Sequence, residues 1–250
     1  MQIAVLSDLH LGKKDDLDQF HRNQGAEEQL YQLLNYLEKS VDKVVLLGDI
    51  FETLRGKTVT KKGKVKELLA ALESYPEITN KIQNDDRYIY VHGNHDLVAK
   101  DVMNAPKEWK VEADGVRMVF FHGHHLDLFT HPLAWTRWLS EVGVWAGGVL
   151  ERSGLDVTRK WNIRSKIKAI NNQWPISKFE IAATKVAKFM NTDIVITGHS
   201  HHPMKFEKDE VLFMNSGTRV CGRQDMLILD TSSKEFNLYK KFNPSSQNEL

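Results

Sequence analysis

The stretch Val44-Val45-Leu46-Leu47-Gly48-Asp49-Ile50-Phe51-Glu52 limits what this chain can fold into more than any other. Four aliphatic residues in succession, ending in Gly-Asp, read as a strand covered on both faces, because only such a strand needs no polar alternation. That places it inside a layered α/β domain. Asp49 then stands at the end of an apolar strand, where a carboxylate needs a compensating charge or a pocket, and a metal ion is the obvious compensation.

The same design recurs along the chain. Ile3–Leu6 is a short buried-type strand running into Ser7-Asp8-Leu9-His10-Leu11-Gly12. Leu30, Leu33, Leu34 and Leu37 fall at i, i+3, i+4 and i+7, the stripe of a helix lying on a sheet, so the first fifty residues form a β-α-β unit. Val65, Leu68, Leu69 and Leu72 repeat the stripe, and Pro76 closes that helical region. Tyr88–His92 forms the third strand and leads into Gly93-Asn94-His95-Asp96. Glu108–Val111 and Val116–Phe121 flank Ala113-Asp114-Gly115, a hairpin signal, and the second of these ends in His122-Gly123-His124. Phe179, Ala182, Ala183, Val186 and Met190 give a further amphipathic helix, before Asp193–Thr197 and Gly198-His199-Ser200-His201. Strands at Met204–Phe206, Val211–Met214, Met226–Leu229 and Phe236–Tyr239, separated by polar turns, predict an antiparallel region. Residues 1–242 thus read as one domain, with a helical insertion over about 127–178 and a frayed tail at 243–250.

Composition narrows the setting. A net charge of +1 gives no general attraction to nucleic acid or anionic lipid, so any basic patch is local. Cys221 is the sole cysteine, which excludes an intramolecular disulfide and fits a reducing compartment. Met1-Gln2-Ile3 enters a strand without a signal-peptide pattern, and no apolar run reaches the roughly 20 residues of a spanning helix. The expectation is a soluble cytoplasmic protein of unspecified oligomeric state.

Five strand ends therefore carry Asp8 with His10, Asp49, Asn94 with His95, His122, and His199 with His201. Strand ends on one rim of an α/β sheet converge. Carboxylates, imidazoles and an amide form a mixed oxygen and nitrogen set, suited to Mn, Fe, Zn or Ni, with enough groups for two ions. Taken together, Asp-x-His, Gly-Asp-x-x-Glu, Gly-Asn-His-Asp, the single His122 and Gly-His-x-His resemble the calcineurin-like metallophosphoesterases, in the family's order and over residues 8–201. The resemblance implies two packed mixed sheets flanked by helices, a four-layer α/β/β/α sandwich, around two divalent ions, Mn²⁺ first. It implies that Asp8, His10 and His201 bind one ion, that Asn94, His122 and His199 bind the other, and that Asp49 bridges them. A hydroxide between the ions would attack phosphorus, His95 would serve the leaving group or the phosphoryl, and Asp96 would orient the His95 ring. His124, two residues past His122, is placed to line the pocket. Glu52 reads as a support rather than a ligand, and His21, His92, His125, His131 and His202 as ordinary residues.

Substrate is read from the insertion. It holds Trp135, Trp138, Trp145, Trp161 and Trp174, and between Arg152 and Lys168 it sets Arg152, Arg159, Lys160, Arg164, Lys166 and Lys168 against Asp156 alone. The plain reading is a small helical core with a solvated basic face. The functional one is a cap that brings Arg159, Lys160 and Arg164 over the metals, with Arg55, Asn94 and His95 also facing substrate, and with peripheral membrane contact through the cap. The Gly-Asp-Ile-Phe-Glu block and the insertion are similar to the UDP-2,3-diacylglucosamine pyrophosphatases. At His95 and His124, where those enzymes typically carry Arg and Asp, the chain keeps the general superfamily pattern. A phosphodiesterase or nuclease acting on nucleotides or nucleic acid is the second enzymatic reading. A non-catalytic protein-binding scaffold is the third; it would require lost ligand positions, and in this chain every metal position and His95 carry competent residues.

Overall fold

A computed structural model describes residues 1–56, 60–126, 145–146, 176–220 and 222–240. The chain runs β1 (Gln2–Leu6), α1 (Ala26–Ser40), β2 (Lys43–Leu47), α2 (Lys61–Ser74), α3 (Pro76–Asn84), β3 (Tyr88–Val91), α4 (Ala99–Val102), β4 (Glu108–Ala113) and β5 (Val116–Phe121). It continues through a 3₁₀ turn (His124–Leu126), α5 (Lys178–Phe189), β6 (Ile194–Thr197), β7 (Met204–Lys208), β8 (Val211–Asn215), β9 (Met226–Asp230) and β10 (Glu235–Tyr239). The insertion expected over 127–178 and the tail at 243–250 lie outside the described residues, apart from Trp145, Ala146 and the start of α5.

Two mixed sheets result, in the orders β10-β9-β1-β2-β3 and β4-β5-β6-β8-β7. The period-two geometry of a strand sorts its apolar run between two cores. Ile3, Val5, Val45, Leu47 and Val91 face Met118, Phe120, Ile194, Ile196 and Met214 between the sheets. Their neighbours Ala4, Leu6, Val44 and Leu46 turn instead toward Leu30, Leu33, Leu34 and Leu37 of α1 and Leu68 and Leu72 of α2. On the far side, Val119, Phe121, Val195 and Phe213 pack against Phe179, Ala183 and Ala187 of α5. The layers are therefore helix, sheet, sheet, helix. Each fully buried aliphatic side chain in them contributes about 1.5–3 kcal/mol relative to exposure.

Local sequence explains the helix ends. Thr60 caps α2 by accepting from the Gly63 N–H at 3.1 Å, and Ser177 and Glu180 form a capping box that starts α5. Three expectations change. Leu69 is exposed and Ala71 takes its place in the core. Pro76 begins α3 rather than ending the helical region, because a proline at the first helical position loses no hydrogen bond. The C-terminal strands are not one antiparallel block: β9 and β10 extend the first sheet beside β1, while β8 joins the second sheet parallel to β6.

Parallel pairing places the site. β1, β2 and β3 run parallel, as do β5 and β6, so the ends of all five open on one rim.

Candidate metal centre

The loops leaving β1 and β2 are laced together beyond the strands. Asp8 N–H donates to Gly48 O at 3.0 Å, His10 N–H to Asp49 O at 2.9 Å, Leu11 N–H to Ile50 O at 2.8 Å and Glu52 N–H to Leu11 O at 2.9 Å. Gly198 N–H donates to His122 O at 3.1 Å and joins the β5 and β6 loops in the same way. Asp8, His10, Asp49, His199 and His201 all have left-handed backbones, with φ of 54, 52, 52, 66 and 57°. Non-glycine residues pay on the order of 1–3 kcal/mol for such a conformation, and the strain concentrates at functional sites. Here it turns each side chain inward immediately after its strand.

Two trios of ligand atoms result. Those of Asp8, His10 and His201 lie within 4.8 Å of one another, and so do those of Asp49, His122 and His199. His201 Nε2 is 3.0 Å from Asp8 Oδ1, and His122 Nε2 is 3.1 Å from Asp49 Oδ2. Nevertheless Asp8 Oδ1, His122 Nε2 and Asn94 Oδ1, all buried, have no hydrogen-bond partner. An unsatisfied buried polar atom costs about 1–3 kcal/mol. Close approach without hydrogen-bond alignment, at Asp8 Oδ1 and His122 Nε2, is what lone pairs aimed at a cation look like, and the donor set fits divalent transition ions.

The ring orientations agree. His122 Nδ1 donates to Leu47 O at 2.8 Å, which leaves the Nε2 lone pair for a metal. Burial works against an ionised Asp49, but His122 and His95 outweigh it and hold the carboxyl well below the usual range. Asp8 is lowered likewise against burial, by His201 and His122. Burial would lower His122, yet Asp49 and Asp8 raise it to about 10. The negative field that attracts a proton to this imidazole attracts a cation in its place.

His95 stands beside the trios. Its backbone N–H donates to Asp49 Oδ1 at 2.8 Å, and its Nδ1 lies 2.9 Å from Glu52 Oε2. Burial is outweighed by Glu52 and Asp49, which raise the imidazole to about 9. Asp96 does not orient this ring as expected. Its Oδ2 accepts from Ile50 N–H at 2.7 Å and Tyr90 Oη–H at 2.7 Å, and its Oδ1 accepts from Gly93 N–H at 2.5 Å. Asp96 ties the ends of β2 and β3 together, and Glu52 takes the orienting place. The sequence signal was available, since Glu52 shares the Asp49 loop.

Other residues divide clearly. Arg55 lies 3.9 Å from Glu52 and reaches the Leu17 carbonyl at 3.5 Å. His124 is buried, its ring 5.8 Å from that of His122 and 6.5 Å from that of His199. Arg159, Lys160 and Arg164 lie outside the described residues. Sequence reasoning overlooked Asn215, Ser216, Thr218 and Arg223. Asn215 Nδ2 donates to Gly198 O at 2.6 Å, Ser216 Oγ lies 2.7 Å from Ser7 Oγ, Thr218 Oγ1 donates to Asp8 O at 2.8 Å, and Arg223 Nη1 donates to His201 O at 2.8 Å. The run Asn-Ser-Gly-Thr after an aliphatic strand repeats the pattern of the ligand loops and could have marked them.

The model of the family described as "calcineurin-like phosphoesterase" matches residues 1–203. The chain is a calcineurin-like phosphoesterase. It is accordingly a metal-dependent phosphoric ester hydrolase, and the two trios are its candidate metal ligands. No protein of curated function matches its sequence significantly. Among solved structures, this phosphoesterase is similar to a Streptococcus pneumoniae protein described as a predicted phosphoesterase, with 15% identity, 96% and 97% of the two chains covered and a TM-score of 0.44. It is similar to an archaeal phosphodiesterase with 18% identity, 96% and 99% covered and a TM-score of 0.45. Vps29 from Entamoeba histolytica, complexed with zinc, shows 14% identity, 96% and 91% covered and a TM-score of 0.46. Likeness this distant carries neither a substrate nor a partner to this chain. Among the described residues, no helix is long and apolar enough to cross a membrane.

Proposed function

We propose that this phosphoesterase cleaves a phosphodiester or pyrophosphate bond at two divalent transition-metal ions, Mn²⁺ before Fe, Zn or Ni. Asp8, His10 and His201 hold one, Asn94, His122 and His199 the other, and Asp49 stands between them. The observation that supports this reading is the meeting of ligand atoms from the ends of β1, β2, β5 and β6, with Asp8 Oδ1 and His122 Nε2 buried and unsatisfied by protein and Asn94 Oδ1, after β3, unsatisfied likewise. Bound there, such ions supply a water acidified toward neutrality and neutralise phosphoryl oxygens.

The chain does the rest. Asp49 holds the His95 backbone through Oδ1, while its other oxygen faces His122. With Nδ1 committed to Glu52, His95 has Nε2 left to donate a proton to a departing alkoxide or nucleotide oxygen, and it is protonated at neutral pH. A lipid-linked nucleotide sugar such as UDP-2,3-diacylglucosamine ranks first among substrates on the sequence of the Gly48–Glu52 block. Arg159, Lys160 and Arg164 are the proposed recognition groups, and a nucleic-acid diester is the alternative.

With Mn²⁺-loaded protein, turnover is expected on bis(4-nitrophenyl) phosphate and on a UDP-sugar, and little on 4-nitrophenyl phosphate. Turnover of the monoester alone would refute the diester and pyrophosphate reading. Cleavage of single-stranded DNA in preference to the UDP-sugar would select the nuclease.

A further inference from the structure

Glu52 is buried and makes three separate attachments at once. Its Oε1 accepts the Leu54 N–H at 2.8 Å, which fixes the carboxylate to its own loop. Its Oε2 lies 3.3 Å from His10 Nδ1 and 2.9 Å from His95 Nδ1, and Oε1 is 3.1 Å from the same His95 nitrogen. The two rings meet edge to face, with centroids 4.6 Å apart and planes at 88°. The opposite end of His10 belongs to the first trio, where its Nε2 lies 3.5 Å from His201 Nε2. A chain of contacts therefore runs from the first metal position through His10 and Glu52 to His95.

The same three side chains, His10, Glu52 and His95, are close enough to hold an ion of their own. His10 Nε2 already faces the first trio, so an ion at Nδ1 as well would require an imidazolate bridging two metals. Two donated hydrogen bonds are the chemically simpler occupancy, and a carboxylate is the only common side chain with oxygens enough to accept both and the Leu54 N–H besides.

We propose that Glu52 is a positioning residue that couples the first metal site to His95. A cation at His10 Nε2 fixes that ring in its Nδ1–H tautomer and polarises the N–H toward Glu52, and Glu52 in turn sets the ring of His95 for proton donation. Metal occupancy and readiness of the proton donor are then linked through one carboxylate. This rests on the function proposed above for His95.

The experiment is a Zn²⁺ titration of the full chain followed by ¹⁵N imidazole NMR, beside kinetics with Mn²⁺. In the natural protein the His95 imidazole signals are expected to shift and sharpen as the first equivalent binds, a readout independent of turnover. Glu52→Gln offers one acceptor oxygen in place of two and should bind both ions while that response disappears. Its turnover should fall about 10–100-fold on an alkyl phosphodiester, the range for partners of metal-bound histidines, and less on a nitrophenyl diester, whose leaving group needs no proton. Equal losses on both substrates with an unchanged His95 response would overturn the proposal. So would a natural protein whose His95 signals ignore Zn²⁺, which covers the case in which Glu52→Gln does not fold. If no ester is turned over at all while the NMR coupling is present, the functional reading of His95 fails and the linkage stands.

Discussion

The first sheet brings Asp8, His10, Asp49, Asn94 and His95 to the centre on loops bonded to one another, while the second brings His122, His199 and His201 on loops held from behind. The first contribution carries the negative charge, and its carboxylates are closed to water, with Asp8 and Asp49 at 0% and 2% exposure. The second is imidazole alone and more open at its edge, where the His201 side chain is 37% exposed. His122 is the exception that explains the rule: it is fully buried because its Nδ1 is fastened to Leu47 of the first sheet. Buried carboxylates create a field that favours a cation, and most of the candidate imidazole ligands reach it from the opposite sheet. A centre built this way exists only when the sheets are packed.

The sharpest way to break this comparison is to remove one ligand from each side. Asp49→Ala is expected to lose both ions and reduce turnover to background, whereas His201→Ala should retain the ion at Asn94, His122 and His199. Elemental analysis after dialysis measures this, and the reverse ranking would put the anchoring charge in the wrong sheet.

His95→Ala comes next, with metal content unchanged and turnover down about 10²–10⁴-fold, the usual contribution of a positioned proton donor. In the natural protein the raised imidazole is protonated below about 9 and loses its proton above it, so the rate on alkyl esters should fall as pH rises through that value. A pH profile that stays level into that range would deny the acid role.

Gly93→Ala tests how tightly the first-sheet loops are packed. A Cβ at Gly93 would collide with Asp49 Oδ1 and come within 2.5 Å of Asp49 N, so the Asp49 carboxylate must move. A displacement near 1 Å costs about 10²-fold in rate, and near-normal kinetics would show that the loop can yield. The smallest effect is expected from Asn215→Ala, behind the second-sheet loop. It frees the Gly198 carbonyl and should cost about 1–3 kcal/mol of stability, read as a lower melting temperature with activity less than tenfold reduced.

Much of this was legible in the chain because strands and ligands are local signals. The aliphatic runs at Ile3–Leu6 and Val44–Leu47 declared buried strands, and the polar residue after each declared a rim. The ring support of His95 was assigned to the wrong carboxylate: Asp96 is adjacent in sequence, but next to His95 in a tight turn it points its carboxylate at backbone amides, and Glu52, in the Asp49 loop, takes the place. The Asn-Ser-Gly-Thr run from Asn215 marked a rim loop, but that Asn215 reaches the Gly198 carbonyl and Arg223 that of His201 is decided only after β8 has entered the second sheet.

The sequence by itself determined the family, the order of the first five strands with α1 and α2, and the identity of the candidate ligands, because apolar periodicity and short polar motifs are written in consecutive residues. Only the tertiary structure decided that β9 and β10 complete the first sheet while β7 and β8 complete the second. Alternating apolar strands carry no label for the sheet they join; that choice is made by which edge remains unpaired and which face remains unburied once β1 and β6 are in place.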